Sequence, residues 1–437
     1  MRIQSRLMNV VLAAIVLLLG VLSVPDTAEA AGKKTVQLNK KAFTLTVGST
    51  QKLTLKNAPK NKTVTWKSSN KKIATVTRKG SVTAKKQGKA TITAKVGKKK
   101  CTCKVTVIRK DASDVAALKK IIKQQRKAGA TVPKDINDDF NYTWNEKGRL
   151  SGITWIGENL KGSISFSEFP ALETLHIHGN RLTGLDITQN VNLKQINCDE
   201  NKLTDLNIDS NVALESLSCD LNRLTQLNIS QNTKLMYLDC CGNKLTSLDI
   251  SKNTALKGLE CGGNKLTMLD ITMQTDLDYL QCHSNQLTNL DVSRNQNLTY
   301  LSCGDNQLTV LDVHLNENLD FLDCSHNQLT DLDVTRNIKL ESLHCHRNKL
   351  TQLDVSNNQQ LYELRCYDNQ ITQLDLKKNE HLWRLECNDN KLTQLDVSNN
   401  LWLEELYCYN NQITELNLKN NKRLKKLGQD DNVKVIR

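Results

Sequence analysis

Aromatic side chains are scarce, at 4 % of 437 residues. That is low for a globular enzyme and natural for a chain dominated by Leu, Asn, Thr and Asp. Acidic side chains are missing altogether from residues 31–110, where 23 Lys and Arg stand without one Asp or Glu. Long apolar runs are missing after Val24, so no later segment is expected to span a bilayer. No sorting signal is read near Arg437, so covalent attachment to a cell wall is not expected.

One apolar run does exist, at the start. Arg2 and Arg6 precede the stretch Leu7 to Val24, and Ala28-Glu29-Ala30 follows it as a small-residue cleavage site. This pattern predicts a secretory signal peptide over residues 1–31. The rival reading is an uncleaved membrane anchor, because the run is long enough to reach across a bilayer. With cleavage, no transmembrane segment remains and the protein is secreted or held at the cell surface.

Charge divides the chain. The whole carries +14, and the 23 uncompensated cations of residues 31–110 leave −9 for residues 111–437. A basic module precedes an acidic one, which is a statement about partners rather than fold.

From Leu172 to Arg423 one 21-residue line is written twelve times, L-x-x-L-x-C-x-x-N-x-L-T-x-L-D-V-S-x-N-x-x. Asn180, Asn201, Asn222 and so on to Asn411 hold one place in every row. A period in this range means a solenoid. Each half-row alternates apolar and polar and then reaches an Asn, so two short strands per coil are expected, with an Asn-marked corner after each. Parallel stacking ~4.8 Å apart would make twelve coils roughly 55–60 Å long.

This row resembles the leucine-rich repeat. With Cys in the third apolar slot and L-T-x-L-D-V-S-x-N behind it, it is similar to repeats of secreted and surface proteins of bacteria, the internalin-like group included. The resemblance covers more than half of the chain. It implies a binding scaffold without naming the ligand.

The basic module, residues 32–110, has turn signals about every 8–12 residues, the spacing of short strands in an all-β domain. Its candidate strands are Ala42 to Val47, Gln51 to Leu55, Val64 to Ser68, Ile73 to Thr77, Ser81 to Lys85, Ala90 to Val96 and Lys104 to Ile108. Gly48, Gly80, Gly88 and Gly97 fall between them. A β-sandwich is predicted, with Trp66, Ile73, Val76, Val82 and Ile92 in the core. The run V-T-W-K-S-S-N from Val64, with G-S-V-T-A from Gly80 and G-K-A-T-I-T from Gly88, resembles the bacterial immunoglobulin-like domain, group 2. In that family the module is a spacer or adhesion unit. Its lysines read either as a solvated face or as an anchor on anionic envelope polymers held by counter-ion release. Nucleic acid is not expected as a partner, because aromatics for stacking are not interleaved with the cations. Cys101 and Cys103 share one strand face and are read as packing residues.

Residues 111–171 read as a helical cap and a degenerate first coil. Ser113 or Asp114 is expected to cap a helix whose apolar stripe is Val115, Leu118, Ile121 and Ile122, with Gly129 ending it. Leu150 to Ala171 resembles a degenerate coil, with Ile153, Trp155, Ile156, Leu160 and Ile164 apolar; Trp144 and Trp155 are expected in the cap core. The solenoid proper is residues 172–437, with a half coil, Leu424 to Asn432, as its last cover. The expected fold is thus mainly β: an Ig-like sandwich, then a helically capped leucine-rich repeat solenoid.

Two columns invite chemistry. Cys198 recurs once in every row to Cys408, eleven thiols in all. Ile177 fills the same slot, the number is odd, and neighbours point the same way, so buried reduced core is expected rather than disulfides or zinc. Cys241 lies outside the column and is the candidate reactive thiol. The second column, Asp186 and Asp249 to Asp396, also accepts Asn207, Asn228 and Asn417. A hydrogen-bonding ladder assisted by the threonines Thr183 to Thr414 is expected there, with calcium as the alternative.

Recognition is expected on the front strand, where rows differ. Its candidate ligand-binding residues are Tyr237, Tyr279, Tyr300, Phe321, His344, His346, Arg347, Arg365, Tyr367, Trp383, Arg384, Tyr407 and Tyr409, because aromatics and Arg anchor binding surfaces. The early rows are acidic instead: Asp199, Glu200, Asp220, Asp239 and Glu260. No metal and no cofactor are expected. Asp323, His344 and His346 would be an enzyme's group, and Cys241 its nucleophile, only if a pocket existed. The readings are an exported, non-enzymatic binding protein for a protein or glycan; a structural surface component; and, least favoured, a hydrolase.

Overall fold

The computed structural model describes residues 35–59 and 62–437; the expected signal peptide lies outside them. Contacts divide the chain into two compact units, one ending at Arg109 and one beginning at Lys110.

In the first unit, strands Ala42–Thr46, Lys99–Ile108, Gly88–Val96 and Val64–Ser68 form one sheet in that order, and Thr50–Lys52, Ser81–Ala84 and Ala74–Val76 form a second. Gln37–Leu38 pairs with Leu55–Lys56. Period-two alternation puts Ile92, Ala94, Cys103, Val105 and Val107 inside, with Leu53, Ala74 and Val82 opposite. Val82 and Ile92 are fully buried, as expected, whereas Trp66, Ile73 and Val76 are only partly covered and pack at the core's margin. Gly80 has φ +81°, and a Cβ there would lie 2.4 Å from the Leu53 carbonyl oxygen, so this corner admits only glycine.

The second unit opens with a helix, Ala112–Lys127. Its cap is Asp111, earlier than the expected Ser113 or Asp114, accepting from the Ser113 and Asp114 amides. Asp114 is buried instead. It takes a two-pronged bond from Arg149 at 2.8 and 2.7 Å and another from the Leu150 amide. Leu118, Ile121 and Ile122 join Tyr142, Trp155, Phe166 and Phe169 over the first coil. Ile156, one of the apolar residues of the degenerate coil, is exposed.

Tyr142–Trp144 pairs antiparallel with Leu150–Thr154, and from there every front strand is parallel through to Lys426–Gly428. The register advances by one repeat per coil, as in Tyr279 opposite Tyr300 and Tyr300 opposite Phe321. The rear differs from the expectation of a second strand in each coil. Among the described residues, rear strands occur only at the ends, as Lys161–Ser165 with Arg181–Asp186 and Glu415–Asn417 with Lys434–Ile436. Between them the rear is made of turns, tied to the coil before by backbone bonds such as Lys265 N to Leu245 O at 2.8 Å.

The Asp column makes a local turn bond along this rear. Asp249, Asp270 and Asp291 each accept from the backbone amide two positions on, at 2.9–3.0 Å. Asn207, Asn228 and Asn417 do the same. Asp186 makes the same bond, and it and Asn417 stand in the paired end strands, so the bond is compatible with a strand before it. The slot wants an acceptor, but it builds turns within coils rather than a ladder between them. The threonine column is exposed and takes no part in that bond. The final cover is also longer than a half coil, since Lys434–Ile436 closes the rear.

Two Asn ladders hold the corners. Asn264 donates to the carbonyls of Cys240, Cys261 and Gly262 and accepts from the Leu245 amide. Asn253 donates to the carbonyls of Ile229 and Asn232, with Gln274 standing in for Asn one coil later. The unusual backbone angle lies just before the first ladder: Glu200, Leu221, Ser284, Asp305 and His326 have φ between 49 and 54°.

Candidate recognition face

Front strands are very short, so each coil turns one side chain in and two out, with a further outward residue just beyond. In Tyr279–Gln281, Leu280 points in, while Tyr279, Gln281 and then His283 point out. Cys282 points in behind them and is fully buried. All eleven ladder thiols are buried and free. Burial pushes them above the ordinary thiol range, and at Cys261 and Cys324 neighbouring thiols add to it.

The rings in the outward slots stack from coil to coil. Tyr279 lies on Tyr300 with centroids 4.4 Å apart and planes at 14°, and Tyr300 lies on Phe321 at 4.4 Å and 4°. His344 meets Phe321 edge-on at 5.3 Å, and His346 stacks on Tyr367 at 4.3 Å. His344 and His346 lie 6.3 Å apart and join the two stacks. Neighbouring faces cover one another, leaving Tyr279 and Phe321 each 9 % exposed. Ring edges, not ring faces, therefore look outward, which disfavours stacking of a glycan on them. Tyr237 stands apart, leaning over Gly258, where a Cβ would lie 3.0 Å from its ring. Trp383 sits on the shoulder of its coil, 37 % exposed. Tyr407 and Tyr409 flank Gly428 at the last coils.

The arginines are already engaged. Arg365 pairs with Glu363 at 2.6 Å, and Arg384 pairs with Glu386 while lying 3.6 Å from Glu405 and 3.9 Å from Glu363. Lys426 closes the series on Glu405 at 2.8 Å. Burial opposes ionisation of Glu363, but the His344 hydrogen bond and the Arg365 guanidinium outweigh it and hold the carboxyl at about 2. Arg347 is more open, 3.6 Å from Asp368. Sequence reasoning named the arginines and missed Glu363, Glu386 and Glu405. The signal was present: Glu363, Arg384, Glu405 and Lys426 alternate in sign at one slot of successive rows.

The early coils carry the opposite arrangement. Asp199, Asp220, Asp239 and Glu260 crowd one acidic patch. Burial lifts Asp239 to about 8, aided by Glu260, and Glu260 to about 7, aided by Asp220. Asp220 stands at about 6, again by burial first and Asp199 second. Among the described residues, Asp239, Cys241 and Glu260 bring donor atoms within 4.8 Å of one another and could hold a cation. Burial, then Asp239 and Glu260, push the Cys241 thiol up. It is thus a protonated thiol, not the activated nucleophile that its position suggests. His346, buried, is held neutral down to about 4, so it carries no charge to pair with Asp323 near neutral pH.

A stacked parallel front sheet with fixed inward residues and variable outward ones defines a leucine-rich repeat binding scaffold. Residues 32–107 match the bacterial Ig-like domain (group 2). The functional domain of InlJ from Listeria monocytogenes, which includes a cysteine ladder, is 35 % identical, with 64 % of this chain and 67 % of that one covered and a TM-score of 0.57. A leucine-rich repeat protein of Leptospira interrogans is 27 % identical over 61 % of this chain and 72 % of its own, at TM-score 0.53. An internalin of L. monocytogenes, InlF, shares the fold at 23 % identity, covering 64 % and 82 %, at TM-score 0.52. Among curated proteins none matches. The chain belongs to the internalin-like leucine-rich repeat proteins.

Proposed function

We propose that this is an exported, non-enzymatic binding protein that presents its front sheet to a protein ligand while its basic Ig-like module contacts anionic envelope polymers. The observation that carries the first half is the ring chain from Tyr279 to Tyr367, ordered by the repeat register. Stiff, pre-stacked rings lose little freedom on binding. Their covered faces favour a protein, which can meet ring edges, over a glycan, which needs a face. Trp383, Arg347 and Tyr409 stand around this floor as open anchors. Export rests on the pattern in residues 1–31, and internalin-like and group 2 Ig-like proteins are typically surface or secreted.

The test is a host-protein and glycan array probed with the wild type and with Tyr279→Ala/Tyr300→Ala/Phe321→Ala. Protein binding by the wild type, lost at least ~10-fold in the triple variant, is the expected result. Binding that ignores the substitution, or no binding by the folded wild type, would remove the recognition role and leave a structural one. Capture of glycans alone would replace the protein ligand.

A further inference from the structure

The lysines of the basic module are not scattered evenly over it. In the four-stranded sheet, Thr65, Lys95 and Lys100 stand opposite one another on three adjacent strands. Two positions along, Lys67, Thr93 and Thr102 form the next row. Thr91 opposite Lys104 continues the pattern. Alternation puts all of these on the outer face, because Trp66, Ile92, Ala94, Cys101 and Cys103 between them turn to the core. The outer face is thus a checkerboard of Lys and Thr. At the free edge of Val64–Ser68 it runs into a groove of about 880 Å³ that Lys67, Lys71, Lys95 and Lys100 line with Trp66 and Thr75.

We propose that this Lys/Thr face and its groove are the docking surface for a phosphodiester polyanion of the cell envelope. It rests on the reading that the basic module contacts anionic polymers, and locates that contact. Lys95 and Lys100 face each other directly, an arrangement of like charges that costs stability in a sheet. No carboxylate in residues 31–110 can relieve it. A string of phosphates laid between the rows would, and the threonine hydroxyls between the lysines would donate to phosphate oxygens. A groove fits a chain better than a plane. The outer face carries no large exposed apolar side chain to enter a bilayer, and Trp66, being half-covered, offers no platform for bases.

The experiment measures binding of the full chain to synthetic poly(glycerol phosphate) at several salt concentrations. It compares the wild type, Lys67→Gln/Lys95→Gln/Lys100→Gln, and the equal-charge control Lys56→Gln/Lys79→Gln/Lys86→Gln, which alters exposed lysines off that face. The face variant is expected to lose at least ~10-fold in affinity and to flatten the slope of log K on log salt by about 2–3. The control is expected to lose less than ~3-fold. A Lys→Arg triple at the same three positions should retain binding, which separates lost charge from lost fold. Equal losses in the face and control variants would overturn the location while leaving a diffuse electrostatic contact standing. No binding by the wild type at low salt would overturn the underlying reading as well. Preference for vesicles of phosphatidylglycerol and phosphatidylcholine over the polymer would replace the occupant with a membrane.

Discussion

One asparagine at each front corner ties together the backbones of neighbouring coils. Asn264 makes three donations and one acceptance in a buried site. Asn264→Ala should therefore cost about 2–4 kcal/mol, since buried carbonyls would be left without donors. Thr267→Ala, on the exposed column, should stay within about 0.5 kcal/mol; urea midpoints of the two variants test the contrast. The thiols make a second residue-scale prediction. Cys101 and Cys241 are the partly exposed ones among fourteen free cysteines. Mass spectrometry after iodoacetamide should find slow labelling at those two, and labelling of the ladder only once denaturant unfolds the solenoid. Rapid native labelling at Cys303 would contradict the packing. The inward slots were readable because Leu, Ile and Cys exchange freely there, as Ile177 and Cys198 do. The left-handed corner was only half readable: Gly179, Gly242, Gly263, Asp305, Asp368, Asp389 and Asn410 favour that angle, but Glu200, Leu221 and His326 share the slot. The stack imposes that angle on whatever stands there, through backbone bonds such as Leu221 N to Cys241 O at 3.1 Å.

The front sheet behaves as two electrostatic elements of opposite pH response. In the early coils, Asp239 and Glu260 have folded-state values of about 8 and about 7, raised above the ordinary range by burial. The folded state holds their protons more tightly, so the stability they contribute is full below the ordinary carboxylate range and lost as pH rises from there through about 8. Glu363 is held at about 2, so its contribution is full above the ordinary Glu range and lost as pH falls toward 2. Melting temperature against pH should fall on both sides. Asp239→Asn/Glu260→Gln should flatten the alkaline limb, and Glu363→Gln the acid limb. The helix cap makes the next prediction. Leu118→Asp would bury an unpaired charge over the first coil, and it should cost at least about 3 kcal/mol in urea unfolding. Front strands and helix were legible as periodicities of two and 3.6. The rear was not, because alternation of Leu, Asp and Val looks like a strand in every row, while only the end coils pair there.

At the scale of the molecule, two units with opposite charge balances share one chain, +23 in residues 31–110 and −9 beyond. The basic one is suited to salt-sensitive contact, and the acidic one to recognition by shape. Each unit's fold follows from its own pattern, since the sandwich buries alternate residues and the solenoid buries every coil against its neighbours. Those neighbours are joined by amide ladders and packed side chains, with all fourteen cysteines free. No disulfide rivets one rung to the next. Tension applied along the stacking direction would accordingly peel rungs away singly. Each release would let out one row of chain, roughly 70 Å when drawn straight, and an optical trap would record it as a regular sawtooth. A tether that lengthens in such steps absorbs a tug by yielding instead of snapping, and it can rewind when the load is gone.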